Sequence, residues 1–132
     1  MPAVTNIRNL SGVRAFYKRW APDVFSLCRL FLGNRTDAET ICAEGFAQFC
    51  RNYSGELPIA GAIPWQFVHY AYKAMQPLEA AAPSPSAPAL ENCILSLDCQ
   101  QRAVFIMRNV LGMSWEAVSK AAEQPIDDVR QN

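Results

Sequence analysis

The chain has 132 residues and 51% of them are apolar, enough for one compact domain or two small helical ones with a real core. Twelve Lys and Arg balance twelve Asp and Glu, so no net charge draws the whole chain to nucleic acid or to an anionic membrane. No apolar run reaches signal-peptide or membrane-span length; the expectation is a soluble, cytoplasmic protein with no membrane partner.

Charge is unevenly spread. Before Pro77, cations such as Arg14, Lys18, Arg19 and Lys73 outnumber the carboxylates, and after Leu90 the carboxylates win. In chain order, Ser11 is placed to cap a helix carrying Val13, Phe16, Tyr17 and Trp20. Pro22 suits the first turn of a continuation, or a kink. Val24, Phe25, Leu27, Cys28, Phe31 and Leu32 extend the apolar face, and Gly33-Asn34 offers a left-handed stop. Thr36 followed by Glu39 reads as a capping box for a second helix ending near Arg51. Its buried stripe is Ile41, Cys42, Phe46 and Phe49, and Gly45 in its interior costs about 1 kcal/mol against Ala. "SGELPIAGAI" reads as a loop. Pro64 opens an aromatic helix, "WQFVHYAYKAMQ", that Pro77 ends.

"QPLEAAAPSPSAPAL" alternates Pro with Ala and Ser, which opposes helix and sheet and favours extended, solvated backbone. It predicts a linker at 77–90 between a unit at 1–76 and a unit at 91–132. The second unit opens with a short helix from Glu91 to Leu97. Asp98 caps a helix bearing Val104, Phe105, Met107 and Leu111, with Gly112 as its stop. Ser114 caps "WEAVSKAAEQ", and Pro125 opens a last piece. No segment alternates at period two, so the fold class is all-α.

The five cysteines, Cys28, Cys42, Cys50, Cys93 and Cys99, include no C-x-x-C pair and read as buried thiols in a reducing compartment. With His69 as the single histidine there is no metal-ligand spacing, and no cofactor is expected. There is no glycine-rich phosphate loop and no constellation of nucleophile, base and orienter, so the chain does not read as an enzyme. A Cys–His pair would require His69 to meet a thiol.

Two stretches resemble the sigma-70 family of RNA polymerase factors, in particular its small extracytoplasmic-function type. "FYKRWAPDVFSLCRLFLGNRTDAETICAEGFAQFC" is similar to the start of region 2, through its "GNRTDAE" turn and the Glu44-x-Phe46 pair. "LDCQQRAVFIMRNVLGMSWEAVSKAA" is similar to region 4, through Gln101 to Phe105, Gly112 to Glu116, and Val118. Both are in the family's order, with the linker between them. The resemblance implies two small helical domains, a region 2-like three-helix unit and a region 4-like helix-turn-helix unit. It implies binding to core RNA polymerase and to promoter DNA, and leaves room for an anti-sigma protein as a partner.

Carried onto this chain, the polymerase contact would fall on Asp37, Glu39, Glu44 and Gln48, carboxylates and an amide along one helix that suit a basic partner. A solvated face complementing the helix dipole explains the same charges. Contacts to the −10 element would fall on Trp65, His69 and Lys73, in a helix whose Phe67, Tyr70 and Tyr72 are also placed to stack unpaired bases. Ordinary packing accounts for Phe67 and Tyr70 as well. Contacts to the −35 element would fall on Ser114, Arg130 and Gln131.

The chain departs from the family where DNA should be touched. Pro77 stops the aromatic helix where the family continues into a basic stretch. Glu123 stands where the family usually has glycine, and Asp127-Asp128 where it often has a small pair. Carboxylates in the first turn suit the helix dipole but not a phosphate backbone. The sequence then ends at Asn132, about two turns into the would-be recognition helix. Two alternatives stay open: the DNA-reading half is missing from the chain, or specific reading was lost and the fold serves as an interaction module for polymerase or an anti-sigma protein.

Overall fold

The computed structural model describes residues 10–33, 35–78, 85–86 and 88–131. Among them are seven helices and no strand: α1 Leu10–Leu32, α2 Arg35–Asn52, α3 Trp65–Met75, α4 Ala89–Leu95, α5 Cys99–Asn109, α6 Trp115–Ala122 and α7 Ile126–Gln131. The all-α expectation is met.

α1 is one continuous helix of 23 residues with Pro22 inside it, rather than two pieces. Proline at 22 cannot donate to the carbonyl of Lys18, and burial holds the helix together across that point. Phe16, Trp20, Ala21, Val24, Leu27 and Cys28 all lie in the core. Gly33 closes α1 in the left-handed conformation at φ 72°, with its N–H donating to the carbonyl of Arg29 at 2.8 Å. Asn34 lies outside the described residues.

The capping box at the start of α2 does not form. The helix begins at Arg35, so Thr36 is already inside it. The Glu39 carboxylate accepts from Arg35 Nε at 3.1 Å, and the Thr36 carbonyl accepts from the Thr40 hydroxyl. Ile41, Cys42 and Phe49 are buried as the period predicts, whereas Phe46 is half-buried and Tyr17 of α1 is exposed.

Gly45 has a packing reason that the sequence does not display. A Cβ there would lie 2.9 Å from both the Cα and the N of Ala71, so α2 and α3 cross backbone to backbone. Around this crossing Phe16 stacks on Phe49 at 4.9 Å, and Phe67 tilts against both. The loop from 53 to 64 is pinned by Trp20 Nε1, which donates to the Pro58 carbonyl at 2.8 Å.

Only Gln76–Leu78, Pro85, Ser86 and Pro88–Leu90 of the proline-rich stretch are described, and the rest of the 77–90 linker lies outside the described residues. Ala89 and Leu90 already belong to α4, which ends at Leu95, two residues short of the expected Leu97. Asp98 caps α5, accepting from the Gln101 N–H at 2.8 Å. Ser114 caps α6, accepting from the Ala117 N–H at 3.1 Å. Phe105, expected on the apolar face of α5, is exposed.

One buried cluster runs from Phe16 to Val129, so the first three helices and the last four share a core. α3 is central, packing on α2 and on α6, while α1 packs on α4 and α5. No described helix is long and apolar enough to cross a membrane.

Candidate functional site

The residues with implied roles fall on three surfaces. The first is the outside of α2. Asp37, Glu44 and Gln48 recur at helical spacing and share one strip; Asp37 and Glu44 are exposed and Gln48 is half-buried. Glu39 is not on that strip. It points to the flank carrying Ala43 and Phe46, and it is held by Arg35.

The second surface is α3, and α6 lies over it. His69 Nδ1 is 3.0 Å from the carbonyl oxygen of Ala121, in the last turn of α6. A carbonyl only accepts, so the ring carries its proton on Nδ1 in this bond. One turn away, Lys73 Nζ meets the Glu123 carboxylate at 2.8 Å. Lys120 lies 5.8 Å from the centre of the Trp65 ring, within cation–π range. Trp65, His69 and Lys73 are thus brought together, and all three engage the second half of the chain. Of the other aromatics, Phe67 and Tyr72 are buried, Tyr72 with its ring edge-on to Phe31. Their faces are closed to bases, and Tyr70 is half-buried.

The third surface is the pair α6 and α7, joined by the three residues Glu123 to Pro125. That is the length of a helix-turn-helix connection. Glu123 sits at φ 55°, ψ 45°, the left-handed conformation that glycine adopts without strain. Its carboxylate is the one that reaches Lys73. The lysine, through its hydrogen bond first and its charge second, holds that carboxyl below the usual range. Val129 is fully buried and docks α7, while Asp127, Asp128 and Arg130 are exposed. Ser114 serves as the α6 cap, and Gln131 is the last residue of α7.

Sequence reasoning missed Arg102 as a joint between the halves. It is buried, and its guanidinium donates to the carbonyls of Phe31 at 2.9 Å, Leu95 at 2.6 Å and Leu97 at 3.3 Å. The first two are end-of-helix carbonyls of α1 and α4 that have no partner within their own helix, and Leu97 lies in the turn that follows α4. Burial pushes the Arg102 pKa down from its ordinary value, and an arginine still keeps its charge. A charged residue among apolar ones in α5 was the available signal. Arg108 does a smaller version of the same, bonding the Met113 carbonyl at 2.8 Å and stacking on Trp115.

The cysteine expectation is met in part. Cys28 and Cys42 are buried, and burial raises both thiols, Cys42 to about 11, so neither is a thiolate. Cys93 and Cys99 are exposed, because they sit on the outer sides of the ends of α4 and α5. His69 is bonded to Ala121 rather than to a thiol. Among the described residues no group of three or more His, Cys, Asp or Glu is arranged to hold a metal ion. No protein-family model matches the chain, and no curated protein matches it.

Proposed function

We propose that the chain is a sigma-70-like transcription initiation factor of the small extracytoplasmic-function type that binds core RNA polymerase and promoter DNA in the cytoplasm. In this reading residues 1–76 are the region 2-like unit, 77–88 the linker, and the region 4-like helix-turn-helix unit begins with α4 at Ala89. The observation that carries this reading is the exposed strip of Asp37 and Glu44 on α2. Carboxylates fixed on a rigid helix lose little conformational freedom on meeting a basic partner surface, and they steer its approach. The short turn between α6 and α7 supports the helix-turn-helix assignment. The test is co-purification of the tagged chain with core polymerase from the native cell. Absence of polymerase from the eluate contradicts the reading.

A second reading has its own support. His69 and Lys73 are engaged by α6 and its turn, and Asp127 and Asp128 are exposed where a phosphate backbone would lie. Under it, the chain binds polymerase or an anti-sigma protein without specific DNA recognition. Promoter-specific transcription with core polymerase separates the two: initiation at a defined start supports the promoter-binding factor, and polymerase binding without initiation supports the interaction module.

A further inference from the structure

An open apolar groove of about 780 Å³ runs between α1 and α2. Its floor is Val13, Tyr17 and Ala21 from α1 with Ala43 and Phe46 from α2, and Tyr17 meets Phe46 edge-on at 4.7 Å. Leu10, 65% exposed, continues the line beyond the groove. Leu10, Val13, Tyr17 and Ala21 are spaced three, four and four apart, the seam a helix presents to another helix. The seam is about three turns long.

Arg14 and Lys18, both exposed, line the same groove one turn apart. Neither has an ion-pair partner among the described residues. The single carboxylate on that flank of α2, Glu39, is already held by Arg35.

We propose that this groove docks an amphipathic helix of a partner protein, with its apolar seam on Tyr17 and Phe46 and two carboxylates one turn apart facing Arg14 and Lys18. Apolar burial supplies the adhesion, and the cations set register and exclude basic helices. A second copy of this chain does not match. α2 exposes carboxylates but no large apolar residue, α5 exposes Phe105 but carries no carboxylate, and α7 is six residues long with adjacent aspartates. Residues 1–9 do not match either, carrying Arg8 and no carboxylate.

The experiment is selection by the full chain from a displayed library of helical peptides of about four turns, with a fixed leucine seam and randomised flanking positions. Wild type is expected to enrich Asp and Glu at flanking positions one turn apart. The double variant Arg14→Glu, Lys18→Glu is expected to enrich Lys and Arg instead, and to bind the wild-type winners at least about tenfold more weakly, a loss of about 1.4 kcal/mol. Ala43→Arg, which fills the groove from an exposed position, is expected to abolish selection while circular dichroism stays unchanged. Four results overturn the proposal. These are the same charge preference in wild type and the reversal variant; self-association of the wild-type chain that charge reversal abolishes; displacement of the peptides by phosphatidylglycerol vesicles; and peptide binding that appears only after residues 1–9 are deleted. Glu44→Arg, on the other flank of α2, is expected to leave peptide selection intact, so failure here is separable from failure at the polymerase.

Discussion

Gly45 of α2 and Ala71 of α3 meet with no room for a side chain, since a Cβ on Gly45 would sit 2.9 Å from the Ala71 backbone. Helix propensity alone makes Gly45→Ala stabilising by about 1 kcal/mol. The crossing reverses that sign, because the obstacle is backbone and cannot rotate away. Overpacking of this kind costs about 1–3 kcal/mol. The expected outcome is a net loss of stability, with a lower urea midpoint and an unchanged m-value. A raised midpoint would mean that the helices do not cross there.

Arg102 ties α5 to the ends of α1 and α4 through three carbonyls. Arg102→Met keeps much of the volume and removes every donor. Leaving buried carbonyls unpaired costs about 1–3 kcal/mol each before relaxation, so the variant should lose about 3 kcal/mol or more in chemical denaturation. Arg102→Lys can satisfy fewer of the three and should fall between. Equal stability of all three proteins would show that the guanidinium is not the joint.

The Lys73–Glu123 pair gives a pH signature whose sign is fixed. The folded Glu123 carboxyl titrates below its ordinary value of 4.5. Its contribution is therefore fully present above that value and is lost as pH falls through the lower folded one. Glu123→Gln keeps a side chain in the left-handed conformation and removes only the charge. The Tm of wild type should exceed that of the variant at neutral pH, and the gap should close as the solution is acidified. The pair is exposed, at 48% and 55%, so the gap is small and shrinks with added salt. A gap that widens toward acid contradicts the assignment.

Binding of the full chain to duplex DNA should be weak, with a shallow dependence of log affinity on log salt. His69 and Lys73 are engaged, and Asp127 and Asp128 repel phosphate. The double change Asp127→Asn, Asp128→Asn should raise affinity a few-fold and steepen the slope. It should also weaken α7 slightly, because each carboxylate favours the helix N-terminus by about 0.5 kcal/mol. Tight binding by the wild type with a steep slope would show that the aspartates have no such effect.

Features set by neighbours along the chain were legible in the sequence. Asp98, Ser114, Gly33 and Gly112 mark helix ends through chemistry local to one turn, and each appears where expected. The Thr36–Glu39 capping box failed because the helix begins one residue earlier, at Arg35, which leaves Thr36 inside it. Periodicity placed Tyr17 and Phe105 on apolar faces but could not tell which edge of each face lacks a neighbour. The contacts that organise the candidate site join residues some fifty positions apart, as His69 to Ala121 and Lys73 to Glu123 do. No local pattern encodes such pairs. The left-handed conformation of Glu123 was signalled only through the resemblance, in which glycine usually stands at that position, because a charged side chain by itself gives no hint of it.

Under the proposed function α2 grips RNA polymerase, and the decisive comparison is the affinity of the full-length chain for core polymerase, wild type beside Glu44→Arg. Glu44 is exposed, so the fold should survive the change, as circular dichroism and urea midpoint will report. The polymerase-binding proposal requires measurable binding by the wild type and at least about a tenfold loss in the variant, equivalent to about 1.4 kcal/mol. Identical affinity of the two proteins, or no binding by either, would contradict it.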